Sequence, residues 1–412
     1  MLKYFEKILS SYLWLKLSAL GLTIQLVSLF RVYPSEHPCG RVINILNDFN
    51  VLINCDSAVY MKDAQQPGRL FNGDSVYQDR PLPTILVSVL AKLWHFLDLP
   101  DYYRDVTGNS GVVITYSLIT YILFMLLTTI IFSLTFFLGE KTFLLLTQDS
   151  NISTNNSNIV SILFLVLISM NEITKTFFWT PGSQMFNLLL PVYLFYLVQF
   201  VGKVVPSKFY LINLLFFVAM LFSYAFFIIV AIPLLFIRWR SIKLRLSLVS
   251  AAIMLYLLYP IILNQIGGYY NNFAIGYRRM YIWVVDAYFD DTLTAMLSTN
   301  LSDFIDTVPF VPMLLLICST VVLIFSHNNS MHLSNSLKPE LFVLLAYTIM
   351  ISFYGYYARR LTYPLMIFVF LIMLKFFINL NKKEVDLSLR LLIIVGVILS
   401  LFSWVFTTGP LV

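Results

Sequence analysis

The chain has 412 residues, 59% of them hydrophobic and only 12% charged, with a formal net charge of +6. A soluble globular domain carries about a quarter charged residues, so this composition argues against one and points to a polytopic membrane protein. The basic surplus is spread along the chain rather than gathered in one dense stripe, which argues against a nucleic-acid surface.

The first hydrophobic run, 12–30, follows Lys3, Lys7 and Lys16 and shows no small-residue cleavage pattern. It predicts a retained signal anchor with the N-terminus inside. Residues 31–111 then form a first external segment with juxtamembrane helices, holding the most polar long stretch of the chain, "LINCDSAVYMKDAQQPGRLFNGDSVYQDRPLP" (52–83). Asp56, Tyr60 and Asp63 are spaced to share one helical face, two carboxylates with a phenol between them. "QQPGRL" breaks that helix, and Asp79 and Arg80 stand just before "PTILVSVLAKLWHFL", whose Lys92 and His95 suit an amphipathic helix better than a span. In an oxidising compartment, Cys39 and Cys55 could close a disulfide that fixes the backbone beside Asp56, the alternative being two cysteines that serve only as small hydrophobes.

Further apolar runs lie at 112–137, 159–170, 185–201, 209–223, 225–237, 246–262, 308–325, 341–357, 362–379 and 389–407. Together with the first they predict about eleven spans. The run 209–237 is divided near Tyr224, because a hairpin there keeps Lys203, Lys208 and "RWRSIKLR" on one side. The fold expected is therefore an all-α polytopic membrane protein, one integral domain over 1–412, with a second external segment at 263–307. Three further groups fall on the external face. In "MNEITKTFFWTPGSQMFNLLLP", Glu172 and Trp179 flank a rigid turn, and Gln184 and Asn187 share a helix face where amides need a partner or a ligand. Arg278 with Arg279, and Arg359 with Arg360, are pairs whose planar forks suit a phosphate, although snorkelling anchors would account for either pair alone.

A carboxylate near apolar groups has its pKa raised toward the range of a general base, and Asp56 is the candidate. Should a divalent ion such as Mg²⁺ or Mn²⁺ take part, Asp56, Asp79 and Glu172 are its candidate oxygen ligands, although their spacing does not require one. The four histidines are scattered and suggest no zinc site.

The order of features, a first span, then "D-S-A-V-Y-x-x-D-A" beginning at Asp56, then the Asp79–Arg80 pair in front of "P-L-P" and an amphipathic helix, resembles the GT-C superfamily of polytopic glycosyltransferases. The resemblance implies transfer of a sugar from a polyprenyl-phosphate or polyprenyl-diphosphate donor to a glycan, lipid or protein acceptor, with inversion. It implies Asp56 as base, Arg359 or Arg360 with Arg80, Arg278 and Arg279 around the donor phosphate, and Tyr60, Asp63, Glu172, Trp179, Gln184 and Asn187 near the sugar or acceptor. Membrane lipids would be partners, and the site would face the periplasm or exterior of a bacterial inner membrane. Other envelope-polymer enzymes, such as a polymerase or acyltransferase, are the alternative. A transporter or flippase is a further one, disfavoured by the lack of internal repeats and of charges within the runs.

Overall fold

A computed structural model describes residues 13–28, 40–46, 49–101, 103–107, 113–147, 154–269, 287–307, 330–352, 359–378 and 394–398. Helix α1 (Leu13–Ser28) is followed by a hairpin of β1 (Gly40–Leu46) and β2 (Phe49–Asn54), rich in β-branched residues and paired antiparallel with an irregularity between Asn44 and Leu46. β2 runs directly into α2 (Cys55–Gln65); a 3₁₀ turn at Pro67–Leu70 and α3 (Pro81–Phe96) come next. A second antiparallel hairpin, β3 (Tyr103–Thr107) with β4 (Val113–Ser117), leads straight into the long α4 (Leu118–Thr147). Asp101 marks that entry: its carboxylate accepts from Ser117 Oγ at 2.6 Å and from the Ile119 N–H at 3.2 Å, capping α4.

The remaining elements are α5 (Thr154–Ser169), α6 (Glu172–Phe177), α7 (Phe186–Val198), α8 (Ser207–Leu221), a 3₁₀ helix Ala225–Val230, α9 (Ala231–Phe236), α10 (Ile242–Gln265), α11 (Leu293–Thr307), α12 (Ser330–Ser352) and α13 (Arg359–Ile378). α7 is the centre of the molecule. Every residue of it except Tyr196 is buried, as expected of a helix that is apolar all round. It packs between α4 and α13, and α1 and α5 cover α4 and each other. A smaller core, Ala58, Tyr60, Met61, Ala64, Tyr77, Val87, Tyr121 and Phe124, lies where α2, α3 and α4 meet.

These features correct the expected fold class. Among the described residues, two helices are long and apolar enough to cross a membrane, Leu118–Leu146 and Ile242–Gln265. The other apolar helical stretches found there run to 10–17 residues, Tyr363–Lys375 among them, so the multi-pass layout and the bacterial inner-membrane placement built on it are withdrawn. The physical reason is that apolar runs break into short helices that bury one another. The run 209–237 becomes α8, a turn at 222–224, a 3₁₀ helix and α9, and the run 185–201 becomes the thirteen-residue α7. The description all-α is also corrected, because two hairpins flank α2 and α3 in the stretch expected to be helical. The run 308–325 and most of 389–407 lie outside the described residues.

Two local expectations agree with the structure. The chain reverses next to Tyr224, and the Val205 N–H reaches the Arg238 carbonyl at 3.0 Å across the hairpin. The stretch from Pro83 lies in one helix, Pro81–Phe96: Pro81, Thr84, Val87, Ser88 and Ala91 are buried, while Lys92 and His95 are exposed together with Leu86, Val89, Leu90 and Leu93.

Candidate functional site

The first turn of α2 carries Asp56, which is exposed and accepts a hydrogen bond from Tyr77 Oη at 2.5 Å. One turn on, Tyr60 is buried, and its ring stacks on that of Tyr77 with centroids 4.3 Å apart and planes 6° from parallel. The edge of Phe124 from α4 closes the other side of Tyr60. Tyr60 Oη and Ser183 Oγ are 3.0 Å apart, and Arg80 Nη1 donates to the same Ser183 oxygen at 3.1 Å. The Arg80 guanidinium lies 4.8 Å above the Tyr77 ring, a cation–π contact, and its Nε is 3.5 Å from Asp79 Oδ1. Three chain segments thus converge: α2, the loop 75–80 and the turn 180–184.

Electrostatics give these groups different duties. Burial, with Tyr60 and Asp56 adding to it, holds the Tyr77 phenol far above its ordinary range, so it remains a donor to Asp56. Burial likewise pushes Tyr60 from 10.0 up to about 12, partly opposed by the nearby Arg80 and the Ser183 hydrogen bond. Both phenols therefore keep their protons at neutral pH. Asp56 is left as the exposed proton acceptor of the cluster, since Asp79 is buried against Arg80.

Asp63 has a different position from the one its spacing suggests. It is fully buried, accepts from Arg69 Nε at 2.8 Å and bonds Ser75 Oγ. Ser75 Oγ in turn accepts the Tyr77 N–H at 3.0 Å, and Arg69 Nη2 donates to the Asp74 carbonyl at 2.8 Å. Asp63 thus clamps the loop that presents Tyr77. Burial outweighs these partners and raises its carboxyl pKa. The same loop is held from outside by Tyr269, whose N–H donates to the Phe71 carbonyl at 2.8 Å; Gln78 Nε2 donates to the Leu70 carbonyl at 2.7 Å and to the Tyr269 carbonyl at 2.9 Å. Gly73 makes this docking possible: its φ is +79°, and a Cβ there would lie 2.2 Å from the Tyr269 ring.

The other expected residues are dispersed. Trp179 Nε1 donates to the Gln25 carbonyl at 2.9 Å and its own carbonyl accepts from Tyr121 Oη at 2.9 Å, so it joins α1 to α4. Asn187 is buried, donating to Gln184 Oε1 at 3.3 Å and accepting from Tyr224 Oη at 2.6 Å; the partner its amide required is this phenol. Glu172 opens α6, and Arg359 and Arg360 open α13, but their side chains lie outside the described set, as does that of Cys55. Arg278, Arg279 and Cys39, hence the proposed disulfide, lie outside the described residues altogether. Among the described residues no three His, Cys, Asp or Glu come together as a metal site, and Asp56 and Asp79 are engaged with Tyr77 and Arg80 respectively. Tyr77, Ser75 and Arg69 are the residues sequence spacing missed, because what unites them is a loop that returns on α2.

Comparison of the chain with family models, with curated proteins and with solved structures finds no match. The resemblance to the GT-C superfamily is therefore corrected. Its supporting architecture of about eleven spans is absent among the described residues, where two helices qualify. The glycosyltransferase activity, the lipid-linked donor, the acceptors and the membrane-lipid partners, which came with that resemblance, are withdrawn with it. The alternatives framed for the same multi-span layout, a polymerase, acyltransferase, transporter or flippase, lose their footing for the same reason.

Proposed function

We propose that Asp56, Tyr77, Tyr60, Ser183 and Arg80 form a binding site for a small hydroxyl-bearing ligand, with Asp56 as the acceptor of the hydroxyl proton. The observation that carries this reading is the 2.5 Å hydrogen bond from the Tyr77 phenol to an exposed Asp56 carboxylate. A donor that cannot ionise at neutral pH holds the carboxylate in one orientation and disperses its charge, while solvent access leaves the group open to a ligand. Ser183 and Arg80 add a hydroxyl and a guanidinium one residue layer away, both tied to Tyr60 or Tyr77 rather than to solvent. Such an arrangement orients a polar molecule through charge-assisted hydrogen bonds, each contributing about 1.5–3 kcal/mol.

Thermal denaturation in the presence of a panel of sugars, polyols and hydroxy acids tests the reading. A ligand present at about a hundred times its Kd stabilises the folded chain by roughly 2.7 kcal/mol. The parent is expected to shift with at least one class, and Asp56→Asn, measured against its own melting point without ligand, to lose that shift. Equal shifts in the parent and in D56N, or none with any compound, overturn it.

A further inference from the structure

A second polar locus lies away from Asp56, where the hairpin 201–245 closes. From Glu172 to Asp286 the sequence contains no carboxylate, yet it holds Lys203, Lys208, Arg238, Arg240, Lys243 and Arg245. The fold gathers these residues. Bridges pair Val201 with Ile237 and Val204 with Arg238, which sets the start of α8 beside the start of α10. Two helix starts, each the positive end of a macrodipole, thus lie beside the basic side chains, although the Ser241 hydroxyl already accepts the Leu244 N–H of α10 at 3.3 Å. The first five of those six residues are exposed. Glu340 approaches from α12, but its charge is taken up by Lys375, with Gln199 Nε2 donating to it at 3.2 Å.

Beneath the rim sit two donors with no hydrogen-bond partner among the described residues, Tyr210 Oη and Arg245 Nε. Tyr210 is fully buried, and Trp239 stacks over it at 4.5 Å. Arg245 is fixed at the same bend, donating through Nη1 to the Leu235 carbonyl at 2.7 Å and to the Ile237 carbonyl at 2.5 Å. A buried donor left unpaired costs roughly 1–3 kcal/mol, a cost an incoming acceptor removes. Arg240 lies over the Trp239 ring at 4.7 Å, and Trp239 in turn covers the Tyr210 ring.

We infer that this corner binds the phosphate of a small phosphate ester or of inorganic phosphate, with Tyr210 Oη and Arg245 Nε as inner donors and Arg240, Lys243 and the two helix starts at the rim. A tetrahedral dianion matches the sign of the basic groups and accepts from the phenol as well, and its entry requires Trp239 to move off Tyr210. The site is independent of Asp56.

Calorimetric titration with inorganic phosphate, with Trp239 fluorescence followed in parallel, tests the inference. The parent is expected to bind, more weakly as salt is raised, with a fluorescence change that Trp239→Phe abolishes. Tyr210→Phe deletes only an unpartnered hydroxyl, so it should melt no lower than the parent yet bind phosphate about tenfold more weakly. Arg240→Gln should weaken binding severalfold at low salt. Absence of binding by the parent overturns the site, and so does unchanged affinity in Y210F, which would reduce the locus to loose surface charge.

Discussion

The Asp56 locus and the Tyr210 locus both combine stacked aromatics with arginine, but they treat their polar groups in opposite ways. Around Asp56 the polar atoms are tied to one another: Tyr77 to Asp56, Arg80 to Ser183, Arg69 and Ser75 to Asp63. Around Tyr210 the buried phenol and a guanidinium nitrogen have no such partner among the described residues. The difference teaches what a polar side chain contributes. In the first region a side chain removed leaves its partners exposed to desolvation without compensation, whereas in the second the Tyr210 hydroxyl can be removed without stranding a partner among the described residues.

The largest effect belongs to the most enclosed carboxylate. Asp63→Ala strands Ser75 and Arg69 together and should destabilise by about 3 kcal/mol in chemical denaturation. Asp63→Asn adds a pH test. Because the folded chain raises this pKa above its ordinary 3.8, the folded state holds the proton more tightly than the unfolded one. The contribution is then complete below pH 3.8 and lost as the pH rises through the folded value, so the parent should lose stability relative to D63N over that rise. A flat difference between the two curves would separate Asp63 from this burial effect.

Next comes the alkaline limb. Tyr60 is shifted from 10.0 to about 12, so its contribution is complete below pH 10 and disappears as the pH climbs through about 12. The full window corresponds to roughly 3 kcal/mol at 1.36 kcal/mol per pH unit. Unfolding measured between pH 9 and 12 should show a steeper loss in the parent than in Tyr60→Phe.

The outer latch is weaker. Gly73→Ala meets both a left-handed backbone, which disfavours L side chains by about 1–2 kcal/mol, and the Tyr269 ring. It should lower stability by about 2 kcal/mol and raise hydrogen exchange at the Tyr269 amide, which now donates to Phe71. The comparison is sharpest, and smallest, in a matched pair of hydroxyl deletions. Tyr77→Phe should destabilise by about 1 kcal/mol, because water replaces only part of what Asp56 loses, while Tyr210→Phe should leave stability unchanged or raise it. Equal effects in the two variants would erase the distinction between the regions.

Sequence alone placed the polar centre in residues 52–83, divided the chain near Tyr224 and marked 83–97 as a single helix. Those features rest on local rules: side-chain spacing, proline and glycine breaks, and helical periodicity. The same rules put Asp56, Tyr60 and Asp63 on one helix but were silent on which carboxylate faces solvent. That was decided by residues 66–80 folding back, which buries Asp63 under Ser75 and Arg69 and brings Tyr77 to Asp56. Ser183 joins them from a turn more than a hundred residues away. Hydrophobicity was equally legible but ambiguous in use. An apolar run reads alike whether it lengthens into a span or breaks into pieces that cover each other, since burial removes the same surface from water either way. Only tertiary packing separated the two, by enclosing α7 on nearly every side between α4 and α13 and by breaking the second half of the run 209–237 into a 3₁₀ helix and the six-residue α9.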